Sequence, residues 1–109
     1  MYWHLVIGFA LFGLFVAGIA IPMILRKVPP NPWYGFRLAK TRRNPDIWYK
    51  ANEYAGKLMV IAGAVITLAS VVLGMLRMSD IAYLGLMYQV TVVSLLIMGI
   101  VSLIYLKTL

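Results

Sequence analysis

The chain has 109 residues, of which 63% are hydrophobic and 12% charged, and its formal net charge is +7. A soluble domain carries about 25% charged residues, and a fold this short exposes too much of its surface to hide so many apolar side chains from water. An ordinary globular protein is therefore excluded and the apolar surplus must face lipid; with no cysteine in the chain, disulfides, thiolate metal sites and thiol nucleophiles are excluded too, and no cofactor is expected.

The first apolar run, Leu5 to Leu25, contains no Lys, Arg, Asp or Glu and has roughly the 20 residues that cross a hydrocarbon core of about 30 Å. It lacks a basic leading segment and is too long for a secretion signal, so it reads as a retained spanning helix. Pro22 removes one backbone hydrogen bond and crowds the Gly18 carbonyl, which predicts a kink or loosening near the helix end. Gly8, Gly13 and Ala17 are expected to let a neighbouring backbone approach closely.

Residues 26–57 hold most of the charge: Arg26, Lys27, Arg37, Lys40, Arg42, Arg43, Lys50 and Lys57 against Asp46 and Glu53. The prolines at 29, 30 and 32, followed by Gly35, predict an extended or turning segment against the membrane surface. A helix start follows, with Asn44 as N-cap, Pro45 at the first helical position and Asp46 at the positive end of the helix dipole. Trp48, Asn52 and Gly56 recur every fourth residue on one face of this interfacial helix. Glu53 and Lys57 sit at the spacing of a helical ion pair. The helix either bends near Gly56 or runs on into the second span, Leu58 to Leu76, where Gly63 and Thr67 are again small packing residues.

The tetrapeptide "RMSD" then leaves room only for a tight turn, so the second span and the third, Ile81 to Leu106, form an antiparallel hairpin. Gln89 is the one strongly polar side chain in the third run and is expected to bond a neighbouring helix, while Gly99 and Ser102 are expected at close contacts. The methionines read as gap-filling or lipid-facing residues.

The expected architecture is an all-α membrane protein: one domain over 1–109, with spans at about 5–25, 58–76 and 81–106 and a proline-rich basic loop at 26–57 leading through an interfacial helix into the second span. Short loops rich in Lys and Arg stay inside the cell, which puts this loop and the C-terminus in the cytoplasm and the N-terminus outside the cell membrane. Tyr2 and Trp3 would then mark the outer interface, and Trp33, Tyr34, Trp48, Tyr49 and Tyr105 the inner one. Anionic lipid head groups are the expected partners of the basic loop; nucleic acid is not, in so apolar a chain.

The ordered pattern P-x-N-x-x-x-G-x-R, then Thr41, then W-x-x-x-N-x-x-x-G on a Pro-led helix, with one more glycine beyond, falls here on Pro29, Asn31, Gly35, Arg37, Thr41, Trp48, Asn52, Gly56 and Gly63. It resembles the SdpI family of bacterial integral membrane proteins over about residues 20–75, and this chain looks like a minimal three-helix form. The resemblance implies an immunity or resistance role, because the family is named after a protein that protects a toxin-producing bacterium from its own secreted peptide.

Candidate binding residues are Asn31, Gly35, Arg37, Thr41, Trp48, Asn52, Glu53 and Gly56. An arginine at head-group level pairs best with a planar oxyanion. Arg37 and Asn52 therefore either fasten the loop to the helix base or line a pocket for an anionic group walled by Trp48. Catalysis is not expected: the lone histidine, His4, lies at the opposite interface from the polar loop, and Asp46 and Glu53 make no evident acid–base pair. Three functions stay open: protection against a membrane-active peptide by binding or exclusion, a small oligomeric transporter or channel subunit, and a scaffold that holds a regulator or anionic lipid. The corresponding partners are a peptide toxin, a regulatory protein or further copies of the chain.

Overall fold

The computed structural model describes residues 3–31, 35, 41 and 43–109. The described residues form three helices: α1 (Trp3–Ile24), α2 (Pro45–Met75) and α3 (Asp80–Lys107). Each is long and apolar enough to cross a membrane, so the chain is an all-helical, multi-pass membrane protein. The molecule measures 49 × 23 × 18 Å, and α2, with 31 residues, sets the long dimension at 1.5 Å per residue.

Local chemistry fixes the helix ends. Asn44 is the N-cap of α2, its side chain accepting from the Asp46 backbone N–H at 3.0 Å, with Pro45 behind it, as the sequence predicts. α1 ends in a Schellman motif: Lys27 N–H donates to the Pro22 carbonyl at 2.9 Å and Arg26 N–H to that of Met23 at 3.2 Å, with Arg26 left-handed at φ 57°. Arg77, at φ 53°, closes α2 in the same backbone region, and the Ser79 hydroxyl caps α3 by accepting from Ala82 N–H at 3.1 Å. Residues 76–79 thus reverse the chain into the expected antiparallel hairpin. The interfacial piece and the second span are one uninterrupted helix, continuous through Gly56.

α2 lies in the middle, with α1 antiparallel on one side and α3 on the other. Small residues let α1 and α2 come together: a Cβ at Gly13 would collide with the Gly63 carbonyl and Thr67, and one at Gly63 with Gly13 and Ala17. The Thr67 hydroxyl crosses this contact to donate to the Ala10 carbonyl at 3.0 Å. Lipid gives no hydrophobic drive between helices, so this close van der Waals fit and the hydrogen bonds are what hold them. Gly8 and Gly99 do not serve this purpose, since a Cβ at either would meet nothing within 4 Å.

An apolar cluster sits at the turn end of the bundle, where Val6 of α1, Ile66 of α2 and Tyr83 and Met87 of α3 meet. Tyr83 is fully buried and donates its hydroxyl to the Ser70 carbonyl at 3.1 Å. Phe9 meets its ring edge-on, with centroids 6.1 Å apart. At the opposite, loop end, Tyr54 and Tyr105 stack at 4.0 Å and join α2 to α3.

Candidate functional site

The loop end of the bundle collects most of the predicted site residues. Trp48 lies on the first turn of α2 and is fully buried. Its indole N–H donates to the Val28 carbonyl at 2.7 Å, which ties the segment leaving α1 to the base of α2. One turn on, Asn52 is 2% exposed and donates its amide N–H to the Trp48 carbonyl at 2.9 Å. That bond uses the donor side of the amide and leaves Oδ1 facing the loop.

Gly35 occupies this place. Its φ is +100°, and a Cβ built on it would stand 2.6 Å from Asn52 Oδ1 and 3.4 Å from the Trp48 ring. Glycine is required on both counts, because L side chains rarely adopt this backbone and no space remains for one. Thr41 is fully buried, and Asn31 turns back to donate to the Pro29 carbonyl at 2.7 Å. Gly35, Trp48 and Asn52 are therefore brought into contact, with Trp48 closed over as an anchor. Arg37 lies outside the described residues, as do the predicted interfacial aromatics Tyr2, Trp33 and Tyr34 and the basic residues Lys40 and Arg42.

Two residues of the predicted set have other neighbours. Gly56 shares the buried face of Trp48 and Asn52 but meets α1, where a Cβ would stand 2.9 Å from Ile24 and 3.1 Å from the Ala20 carbonyl. It is a helix-crossing position. Glu53 pairs with Arg26 rather than with Lys57: both Nε and Nη2 of Arg26 donate to Glu53 Oε2, at 3.2 and 2.8 Å. The hydrogen bond from Arg26 holds the Glu53 carboxyl below its ordinary value of 4.5, burial pushes the other way, and the charges of Arg26 and Lys57 add to the lowering. Sequence spacing points to Lys57; the tight end of α1 brings Arg26 closer, a relation across 27 residues that carries no local signal. The Val28 carbonyl is equally invisible in sequence, since a backbone acceptor has no residue type.

Among the described residues no group of three or more His, Asp and Glu side chains could hold a metal ion. A separate open cleft of about 320 Å³ lies at the turn end between α1 and α3, lined by His4, Leu5, Gly8, Phe9, Phe12 and Thr91. Its walls are almost wholly apolar, and it is far from the Trp48–Asn52 cluster because α1 and α2 run antiparallel.

Comparison with known proteins gives the family. The sequence of the SdpI/YfhL protein family matches residues 27–106, the stretch that carries Gly35, Trp48, Asn52 and both later helices. Uncharacterized protein YfhL of Bacillus subtilis (strain 168) is 33% identical over 64 residues, 56% of this chain and 54% of that relative. The chain thus spans about half the length of the curated relative it matches. No solved structure matches it. With the family pattern covering residues 27–106, most of the chain, the protein belongs to the SdpI/YfhL family of membrane proteins.

Proposed function

We propose that the chain protects a membrane against a membrane-active peptide, by holding the peptide or excluding it, and that it does so without catalysis. The observation that supports this reading is the coincidence of the family pattern with one built feature. Gly35, Trp48 and Asn52 come together at the loop end, so the segment between α1 and α2 is fastened to the base of α2 at Val28 and Gly35. In this reading Arg37 is the residue that pairs with an anionic group, and residues 26–57 lie in the cytoplasm with the N-terminus outside the cell membrane. Basic residues near an anionic leaflet are each worth about 1 kcal/mol of attraction, which keeps the segment at the head groups where an inserting peptide must pass. The excess of basic residues in the same segment favours a second reading, a scaffold that holds an anionic lipid or a regulatory protein.

The test is survival. Peptide-sensitive bacteria expressing the chain should grow at killing-peptide concentrations that stop the parent strain. Arg37→Ala should lose that protection while its membrane level and thermal midpoint in detergent stay at wild-type values. Loss of protein level together with protection makes Arg37 a fastening residue, and no protection by the wild-type chain removes the immunity reading.

A further inference from the structure

The spans bury their polar side chains economically. Thr67, Ser70 and Tyr83 each donate to a backbone carbonyl inside the bundle. Gln89 of α3 breaks this rule. It is exposed, on the face opposite the buried Tyr83 and Met87, and no described residue pairs with its amide. Nine residues of helix separate it from Asp80 at the start of α3, a rise of about 14 Å, so it lies within the hydrocarbon and cannot reach water. Thr91 and Ser102, whose hydroxyls also have no partner among the described residues, can swing to a carbonyl of their own helix. A glutamine amide has two N–H donors and a carbonyl acceptor, more than an already paired helix backbone absorbs, and an unpaired polar group in lipid is costly.

We propose that Gln89 marks the face through which α3 pairs with α3 of a second copy of this chain in the same membrane. Three observations point to a second copy rather than to a different partner. Copies with one topology insert in the same direction, so their α3 helices run parallel and Gln89 meets Gln89 at equal depth. An amide is self-complementary, each side chain donating to the other's carbonyl oxygen across a two-fold axis, as an isologous contact requires. The face around it carries no charge for a partner of other chemistry to complement: Gly85, Val92, Leu96 and Leu103 line up with Gln89 at spacings of three, four and seven residues, all exposed, the repeat of a helix-pairing seam. Gly85, one turn before Gln89, has open space where its Cβ would be, which lets the two backbones close at the level of the amides. α3 is also the least covered helix, with 11% of its apolar window buried against 22% and 28% for α1 and α2. The pairing does not involve the Gly35–Trp48–Asn52 cluster and does not depend on the immunity reading.

The chain has no native cysteine, so single-cysteine variants of the full chain test this directly. Leu96→Cys lies on the seam, and its neighbour Ile97→Cys, equally exposed at 56% against 58%, lies a quarter-turn or more away. In phosphatidylethanolamine–phosphatidylglycerol vesicles at low protein density, oxidation should give a disulfide dimer from Leu96→Cys and little from Ile97→Cys. Adding Gln89→Leu should weaken the association roughly threefold to thirtyfold, the range found for interhelical hydrogen bonds in membranes, and Gln89→Asn should restore much of it. The thermal midpoint of the Gln89→Leu chain in detergent should be unchanged, since the side chain is exposed and bonds to no described residue of the bundle. Equal yields at 96 and 97 mean random collision, no dimer at either means that lipid covers the face, and a Gln89→Leu chain that dimerises as before means the amide is irrelevant; each overturns the proposal.

Discussion

Glu53 shows how a single charge is disposed at the loop end. Its carboxylate accepts two hydrogen bonds from Arg26, and the side chains are 29% and 50% exposed respectively. Solvent screens a pair this open, so its contribution is about 1 kcal/mol or less. Because the folded-state value lies below the ordinary 4.5, the stabilisation is fully present above that value and is lost as pH falls through the depressed one. Glu53→Gln is therefore expected to lower the thermal midpoint in detergent slightly at neutral pH, and the gap to wild type should close as the pH is taken below 4.5. A gap that persists in acid would assign the effect to packing of the side chain and not to its charge. The neighbouring Trp48 works by contact and by its bond to Val28, neither of which titrates, so its hold on the segment after α1 should survive the same acid step.

At the scale of elements, the α1–α2 crossing decides whether the helices stay together. Gly13→Ala drives a methyl group into the Gly63 carbonyl and Thr67, and the obstruction is backbone, which cannot swing aside. Forcing a core apart in this way costs about 1–3 kcal/mol, and the Thr67–Ala10 hydrogen bond is stretched with it. Gly8→Ala, on the same helix but with nothing within 4 Å, is expected to stay within about 0.5 kcal/mol of wild type, and thermal unfolding of both variants in detergent measures the difference. The contrast also shows what sequence can convey. The helix start at Asn44–Pro45–Asp46 and the three apolar runs are legible because the information is local: a cap, a charge-free stretch, a rise per residue. Gly8, Gly13 and Gly99 look alike in sequence, yet only Gly13 has a backbone opposite it. Which side of a helix meets a neighbour depends on the rotation of α1 against α2, and in a span apolar all round no polar face reveals it. The same limit hides Arg26 as the partner of Glu53. Trp48 and Asn52 are recognisable as one face, whereas their closure over Gly35 depends on the chain doubling back from α1.

For the whole molecule, the two ends of the bundle differ in charge, and the proposed orientation rests on this asymmetry. Arg26, Lys27, Arg43, Lys50, Lys57 and Lys107 gather at the loop end, while the turn end has Arg77 beside Asp80. An odd number of spans puts the N-terminus and the α2–α3 turn on one side of the bilayer and the basic segment with the C-terminus on the other. On the Lys and Arg bias of short loops we propose that the loop end lies in the cytoplasm, where an anionic leaflet adds to the same preference. The absence of native cysteine makes the test clean: Lys50→Cys and Arg77→Cys are both at exposed positions at opposite ends. In intact cells a membrane-impermeant maleimide should label Arg77→Cys, and Lys50→Cys should be labelled only after the membrane is opened. Neither substitution reverses the bias, since Arg77→Cys removes a basic residue from the α2–α3 turn and Lys50→Cys leaves most of the loop's cations in place. Labelling of Lys50→Cys in intact cells would invert the bundle. The base of α2 with Gly35, Trp48 and Asn52 would then face outward, where a secreted peptide arrives first, and protection would have to act before insertion and not at the inner leaflet.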